Sequence, residues 1–154
     1  MKQPLLILVL LLIVHSAFSQ FYIGDHKNVV RNGLKRYIKT EDLTNTTIVE
    51  RGDTLVLQIN DPRKQHAEFR YIFNQSQWCI AEQKIACVHC ADEFMKTTLA
   101  AQKYEWVKIN DSTYVSKFSK KRLLQVTAVD TMKRVDITKI KWSREKYEKW
   151  LISK

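Results

Sequence analysis

Residues 67–73, Ala-Glu-Phe-Arg-Tyr-Ile-Phe, put Phe69, Tyr71 and Phe73 on one face of a strand, because side chains alternate sides at period two. Asn74-Gln75-Ser76-Gln77 has turn composition, and a second apolar strand runs from Trp78, Cys79 and Ile80 to Ala86. Beyond Cys87-Val88-His89-Cys90 the period changes. Positions 91, 94, 95, 98 and 99 fall on one side of a helix that the pattern places over 92–102. A hairpin feeding a helix within about 35 residues is a good core seed, since closing short loops costs little entropy.

The flanks repeat this rhythm. Gly24-Asp25 can cap a helix over 26–39 with Val29, Val30, Leu34, Tyr37 and Ile38 on one side, weakened by about 1 kcal/mol at Gly33. Two β-rich runs, 46–50 and 54–59, flank Arg51-Gly52-Asp53 as a tight hairpin, with Leu55, Leu57 and Ile59 sharing a face. Strands are then expected over 104–109, 113–118, 123–129 and 135–142, separated by turns at 110–112, 119–121 and 130–133. Ser143 caps a last helix whose Tyr147, Trp150 and Leu151 form one stripe, with Trp142 placed to staple Tyr147. The fold class is therefore α+β: a helix plus an antiparallel meander, occurring twice in the manner of a divergent duplication, with a C-terminal amphipathic helix.

The N-terminus adds an address. Lys2, an apolar run over 5–14 and the small-x-small site Ala17-Phe18-Ser19 before Gln20 read as a cleaved secretory signal over 1–19. Ten apolar residues are too few to span a bilayer, which takes about 20. No cysteine follows the run, so the protein is expected to be secreted or periplasmic, and not a lipoprotein. Residues 20–154 make one domain of ordinary size. With only three Gly and two Pro in the chain, a flexible linker is not expected.

Charge enters next. The chain holds 26 Lys+Arg against 16 Asp+Glu, and losing Lys2 with the signal lowers the net +10 to +9. Export argues against a nucleic-acid partner. An envelope protein or an anionic glycan or lipid surface fits better, met by a basic face of Lys117, Lys120, Lys121, Arg122, Lys139, Lys141 and Arg144. The basic, aromatic C-terminal helix could also lie on an anionic membrane, though its narrow stripe favours docking on the sheet.

Candidate chemistry is sparse. Cys87 and Cys90 opening a helix would give Cys87 a lowered pKa through the helix dipole, and His89 makes the motif resemble the Cys-Pro-His-Cys of periplasmic thiol oxidants. Such folds place a cis-proline opposite the disulfide, whereas Pro62 lies upstream in a polar loop. Should the helix begin only at Cys90, Cys87 would sit outside the dipole's reach. Cys79, Cys87, His89 and Cys90 suffice by number for a metal, but adjacent His89 and Cys90 ligate one ion awkwardly. A structural disulfide among Cys79, Cys87 and Cys90 is the plainer expectation. Cys79 and Cys87 could face each other only if Glu82-Gln83 turned the chain. No acid–base or nucleophilic constellation stands out, and Asp92-Glu93 reads as first-turn helix stabilisation. The sequence thus points to a non-enzymatic protein without cofactor, with a thiol–disulfide redox protein as the alternative.

Three resemblances bear on origin. The stretch Ile23-Gly24-Asp25-His26-Lys27-Asn28-Val29-Val30 resembles the "Gly, polar, polar, polar, Val" helix start of small envelope proteins. These form the β-lactamase-inhibitor-protein-like and outer-membrane-assembly-lipoprotein-like group. The signal's ending and the pattern Tyr71-Ile-Phe-Asn, Trp78-Cys, Leu99, Tyr104-Glu-Trp-Val resemble small exported proteins of Bacteroidota. Together they imply a compact α+β envelope protein that binds macromolecules without catalytic residues; the missing lipid anchor departs from the assembly-lipoprotein members. Asp53-Thr54-Leu55, Asp111-Ser112-Thr113 and Asp130-Thr131-Met132 resemble the O-glycosylation acceptor of Bacteroidota, with Thr54, Ser112 and Thr131 as sites. Asp-Ser and Asp-Thr are equally turn chemistry.

Overall fold

The computed structural model describes residues 22–63 and 66–152. The expected signal and its cleavage site lie outside them. Within the described residues the chain runs α1 (Lys27–Thr40), β1 (Thr46–Arg51), β2 (Thr54–Ile59), β3 (Ala67–Phe73), β4 (Cys79–Cys87) and α2 (Val88–Leu99). It continues through a 3-10 turn (Gln102–Tyr104), β5 (Val107–Asn110), β6 (Thr113–Val115), β7 (Arg122–Val129), β8 (Met132–Lys139) and α3 (Arg144–Ile152). The α+β expectation holds.

All eight strands form one antiparallel sheet in the order β1-β2-β3-β4-β8-β7-β6-β5. Each helix–meander half folds on neighbours in sequence, and the two meanders join along β4 and β8. Register then sorts the side chains. Leu57 opposes Phe69, Phe69 opposes Lys84, Lys84 opposes Val135, and Val135 opposes Val126, so one row crosses five strands on one face. This face meets α1 through Val30 and Leu34 and α2 through Ala91 and Met95, all buried in one core. Behind it the sheet is polar: Gln83 donates to Asp136 at 2.7 Å and Gln58 to Glu68 at 3.2 Å. One apolar and one solvated face is the usual antiparallel arrangement.

The C-terminal helix docks where its stripe predicts. Tyr147 is buried, its hydroxyl donates to the Ser116 carbonyl at 2.9 Å, and Trp150 meets Trp142 edge-on at 4.7 Å. Ser143 Oγ accepts the Lys146 N–H, capping the helix. Trp142 therefore closes on Trp150, while Tyr147 packs on Phe118. Together with Val115, Ile140 and Leu123 they form a second, smaller core.

Several boundaries differ from the pattern, each for a local reason. His26, not Asp25, caps α1, with Nδ1 accepting the Asn28 N–H at 3.4 Å; Val29 points to solvent. Helix α2 starts at Val88, so Asp92 lies beyond its first turn and pairs with Lys133 at 2.7 Å. Glu105 adopts a left-handed conformation (φ 46°), which delays β5 to Val107. Strand β6 ends at Val115, and β8 begins at Met132, leaving only Asp130 and Thr131 in the turn.

Candidate functional site

Strand β4 organises the site because it carries charge where its neighbours carry hydrocarbon. On the helix-facing side it presents Glu82, Lys84 and Ala86, flanked by Phe69 and Tyr71 of β3 and by Val135 and Ile137 of β8. Above these residues α1 and α2 do not close together, and a cavity of about 250 Å³ remains. Its floor is Phe69, Tyr71, Glu82, Lys84, Val135 and Ile137, and its walls are Leu34, Tyr37, Tyr22 and Phe94. Arg36, Thr40 and Glu41 stand at the α1 end of the lining.

Gly33 explains part of that shape. A β-carbon there would lie 2.3 Å from the Tyr22 hydroxyl, so glycine lets the Tyr22 ring lie against α1 and over the cavity. The ring meets Tyr71 edge-on at 5.5 Å. The helix weakness visible in the sequence is thus a packing requirement.

The two charged residues of the floor are held differently. Glu82 is buried and accepts the backbone N–H groups of Tyr22 and Ile23, the latter at 2.9 Å. Loss of hydration outweighs those bonds and pushes its carboxyl up to about 8. Arg122 faces it and donates to the Ile23 carbonyl at 2.9 Å. The Lys84 ammonium instead sits over two rings, 4.8 Å from the centre of Phe69 and 4.6 Å from that of Phe94. Burial lowers it to about 8, opposed by the nearby Cys90 and Cys87.

Those cysteines meet at the end of the same strand. Cys87 is the N-cap of α2 and its Sγ accepts the Cys90 N–H at 3.1 Å. The Cys90 thiol bonds the Cys87 sulfur, which with that backbone N–H lowers Cys87 below its usual 9.0, and Lys84 adds to the effect. Burial and Cys87 raise Cys90. The helix thus begins early enough to put Cys87 within its N-terminal field. Cys79 takes no part. β4 runs without a turn at Glu82-Gln83, so Cys79 lies about 27 Å from Cys87 and cannot pair with it. Buried, its thiol is pushed up to about 12. The four candidate metal ligands are accordingly not gathered, His89 is exposed, and among the described residues no group of three or more His, Cys, Asp or Glu could hold an ion.

The expected basic face is only partly assembled. Lys120, Lys139 and Lys141 are exposed, and Lys121 lies over Phe118 at 5.0 Å. Lys117 pairs with Glu105, Arg144 pairs with Glu148 at 2.8 Å, and Arg122 turns inward. Thr54, Ser112 and Thr131 lie at hairpin turns; Thr54 bonds Asp53 and Ser112 bonds Asn110. Among the described residues no helix is long and apolar enough to cross a membrane.

The cavity itself escaped the sequence reading. Its one signal was Glu82 and Lys84 alternating into the apolar face of a strand whose flanking strands are apolar there. In comparison with known proteins, no family model matches this chain, and no curated protein or solved structure does either.

Proposed function

We propose that the chain is an exported, non-catalytic binding protein whose site is the cavity between α1, α2 and the sheet, taking a small, largely apolar molecule. The observation that carries this reading is an apolar recess that opens at the surface beside Arg36 and Thr40 and reaches into the core. Protein interiors leave few voids larger than a water molecule, yet about 250 Å³ stands open among Leu34, Phe69, Phe94, Val135 and Ile137. Roughly 150 Å³ suffices for a benzene ring, and drug-sized pockets start near 300 Å³. A single ring with a short tail, or a medium-length acyl chain, matches that room. The exposed Lys120, Lys139 and Lys141 would hold the protein against an anionic glycan, lipid or protein of the envelope.

Calorimetric titration of the mature chain with 1-octanol tests the cavity. Saturable one-site binding is expected, and Val135→Phe, which fills the space, should abolish it while circular dichroism stays unchanged. No saturable binding, or binding that survives Val135→Phe in a folded protein, would overturn the reading.

One observation favours a second reading, thiol–disulfide exchange: Cys87 caps α2 with Cys90 hydrogen-bonded to it. In that chemistry the Cys87 thiolate attacks a substrate disulfide and releases one thiolate. Cys90 then loses its proton and displaces the second, leaving a Cys87–Cys90 disulfide and two reduced substrate thiols. Reduction of insulin disulfides by dithiothreitol, faster with wild type than with either single Ser variant, would support it; equal rates would exclude it.

A further inference from the structure

The cavity floor holds a cation in apolar surroundings, and its partners suggest the ligand's chemistry. Lys84 lies in the row Leu57, Phe69, Lys84, Val135, Val126, where each neighbour across the sheet is a hydrocarbon side chain. Among the described residues no carboxylate lies within ion-pair distance of its ammonium, which rests between the rings of Phe69 and Phe94. The carboxyl on the same floor, Glu82, is engaged by the Tyr22 and Ile23 backbone and faces Arg122. The other groups facing Lys84 are the thiols of Cys87 and Cys90. A half-buried ammonium among aromatic rings costs desolvation that ring contacts offset only in part. An anion entering the cavity would supply the missing charge. A lone ammonium balances the single charge of a carboxylate, whereas a phosphate group brings about −1.5 to −2 at pH 7 and would leave charge uncompensated among the rings.

We propose that the cavity takes a monocarboxylate with an aliphatic or aromatic body, whose carboxylate pairs with Lys84 while its body lies over Phe69, Val135 and Ile137. This rests on the binding reading above and adds the charge of the ligand. Phe94 flanks the ammonium from α2 as Phe69 does from β3. The ion pair thus forms between two rings that shield it in part from water, where a charge-assisted hydrogen bond is stronger than in bulk solvent. Arg36, exposed at the α1 end of the lining, adds positive potential along the route in, beside Glu41.

The test compares octanoate with 1-octanol by calorimetry at pH 7. Wild type should bind octanoate about 10- to 100-fold more tightly, the usual worth of a charge-assisted hydrogen bond. Lys84→Met should lose that preference while still binding octanol. The carboxyl of ¹³C-labelled octanoate, titrated by NMR on wild type, should stay ionised to a pH at or below that of free octanoate, a readout independent of any variant. Octanol binding as tightly as octanoate, a preference that survives Lys84→Met, or a raised carboxylate pKa would overturn the carboxylate while leaving the cavity reading standing. Binding of neither ligand would overturn both.

Discussion

Glu82→Gln should change how stability depends on pH more than stability itself. In the folded chain burial holds the Glu82 carboxyl at about 8, against 4.5 when hydrated in the unfolded chain. Between those values the folded protein keeps a proton that the unfolded chain has released. Glu82 therefore contributes stability fully below pH 4.5 and loses it as pH rises through 8. At about 1.4 kcal/mol per pH unit, the loss by pH 8 is roughly 3–5 kcal/mol. That is a large share of the 5–15 kcal/mol typical of a domain. Glutamine has the same shape and still offers an oxygen to the Tyr22 and Ile23 N–H groups, but cannot ionise. Lys84 acts in the other direction and at higher pH, since its lowered value separates the two states only between about 8 and 10.5. Urea unfolding followed by tryptophan fluorescence at pH 5, 6, 7 and 8 isolates Glu82 as the difference between wild type and variant. The difference should be below about 1 kcal/mol at pH 5 and favour Glu82→Gln by about 4 kcal/mol at pH 8. Parallel curves would refute the argument and place the carboxyl in water.

Other predictions follow from single contacts. Gly33→Ala gains about 1 kcal/mol of helix preference but must push Tyr22 off α1 and away from Tyr71, a ring contact worth about 0.5–1.5 kcal/mol. Melting should therefore barely move while octanol affinity falls; a loss above about 3 kcal/mol would mean that Tyr22 cannot yield. Tyr147→Ala should cost about 3–5 kcal/mol, because the ring fills the second core and its hydroxyl satisfies Ser116; unchanged stability with lost liposome binding would make α3 a membrane element instead. Iodoacetamide should modify Cys87 first, below its ordinary 9.0, then Cys90, with Cys79 last, as peptide mapping against time would show. Cys90 reacting first would contradict the capped geometry.

The sequence carried the fold well where one face alternates with solvent. Phe69, Tyr71 and Phe73, the Leu55–Ile59 strand and the Tyr147 stripe all sit as their periods require. It misled where a local conformation overrode propensity, as at Glu105, whose left-handed turn shortens β5. The start of α2 was obscured because a cysteine is an uncommon cap and His89 a poor helix marker, yet Cys87 Sγ accepts the cap bond. The cavity could not be read from either half alone. It forms where β4 of one meander meets β8 of the other beneath helices from both halves, a non-local pairing that no short pattern encodes. Arg122 shows the same limit: counted among surface cations by composition, it reaches across to Ile23 instead.

The most direct test of a ligand-holding core is ¹³C-methyl NMR of residues 20–154 titrated with 1-octanol. Saturable shifts are expected at Leu34, Val135 and Ile137, which line the cavity, and none at Val115 or Leu151 of the second core. Shifts that never saturate, or that appear at Val115 and Leu151 while Leu34, Val135 and Ile137 stay still, would contradict a ligand-holding core.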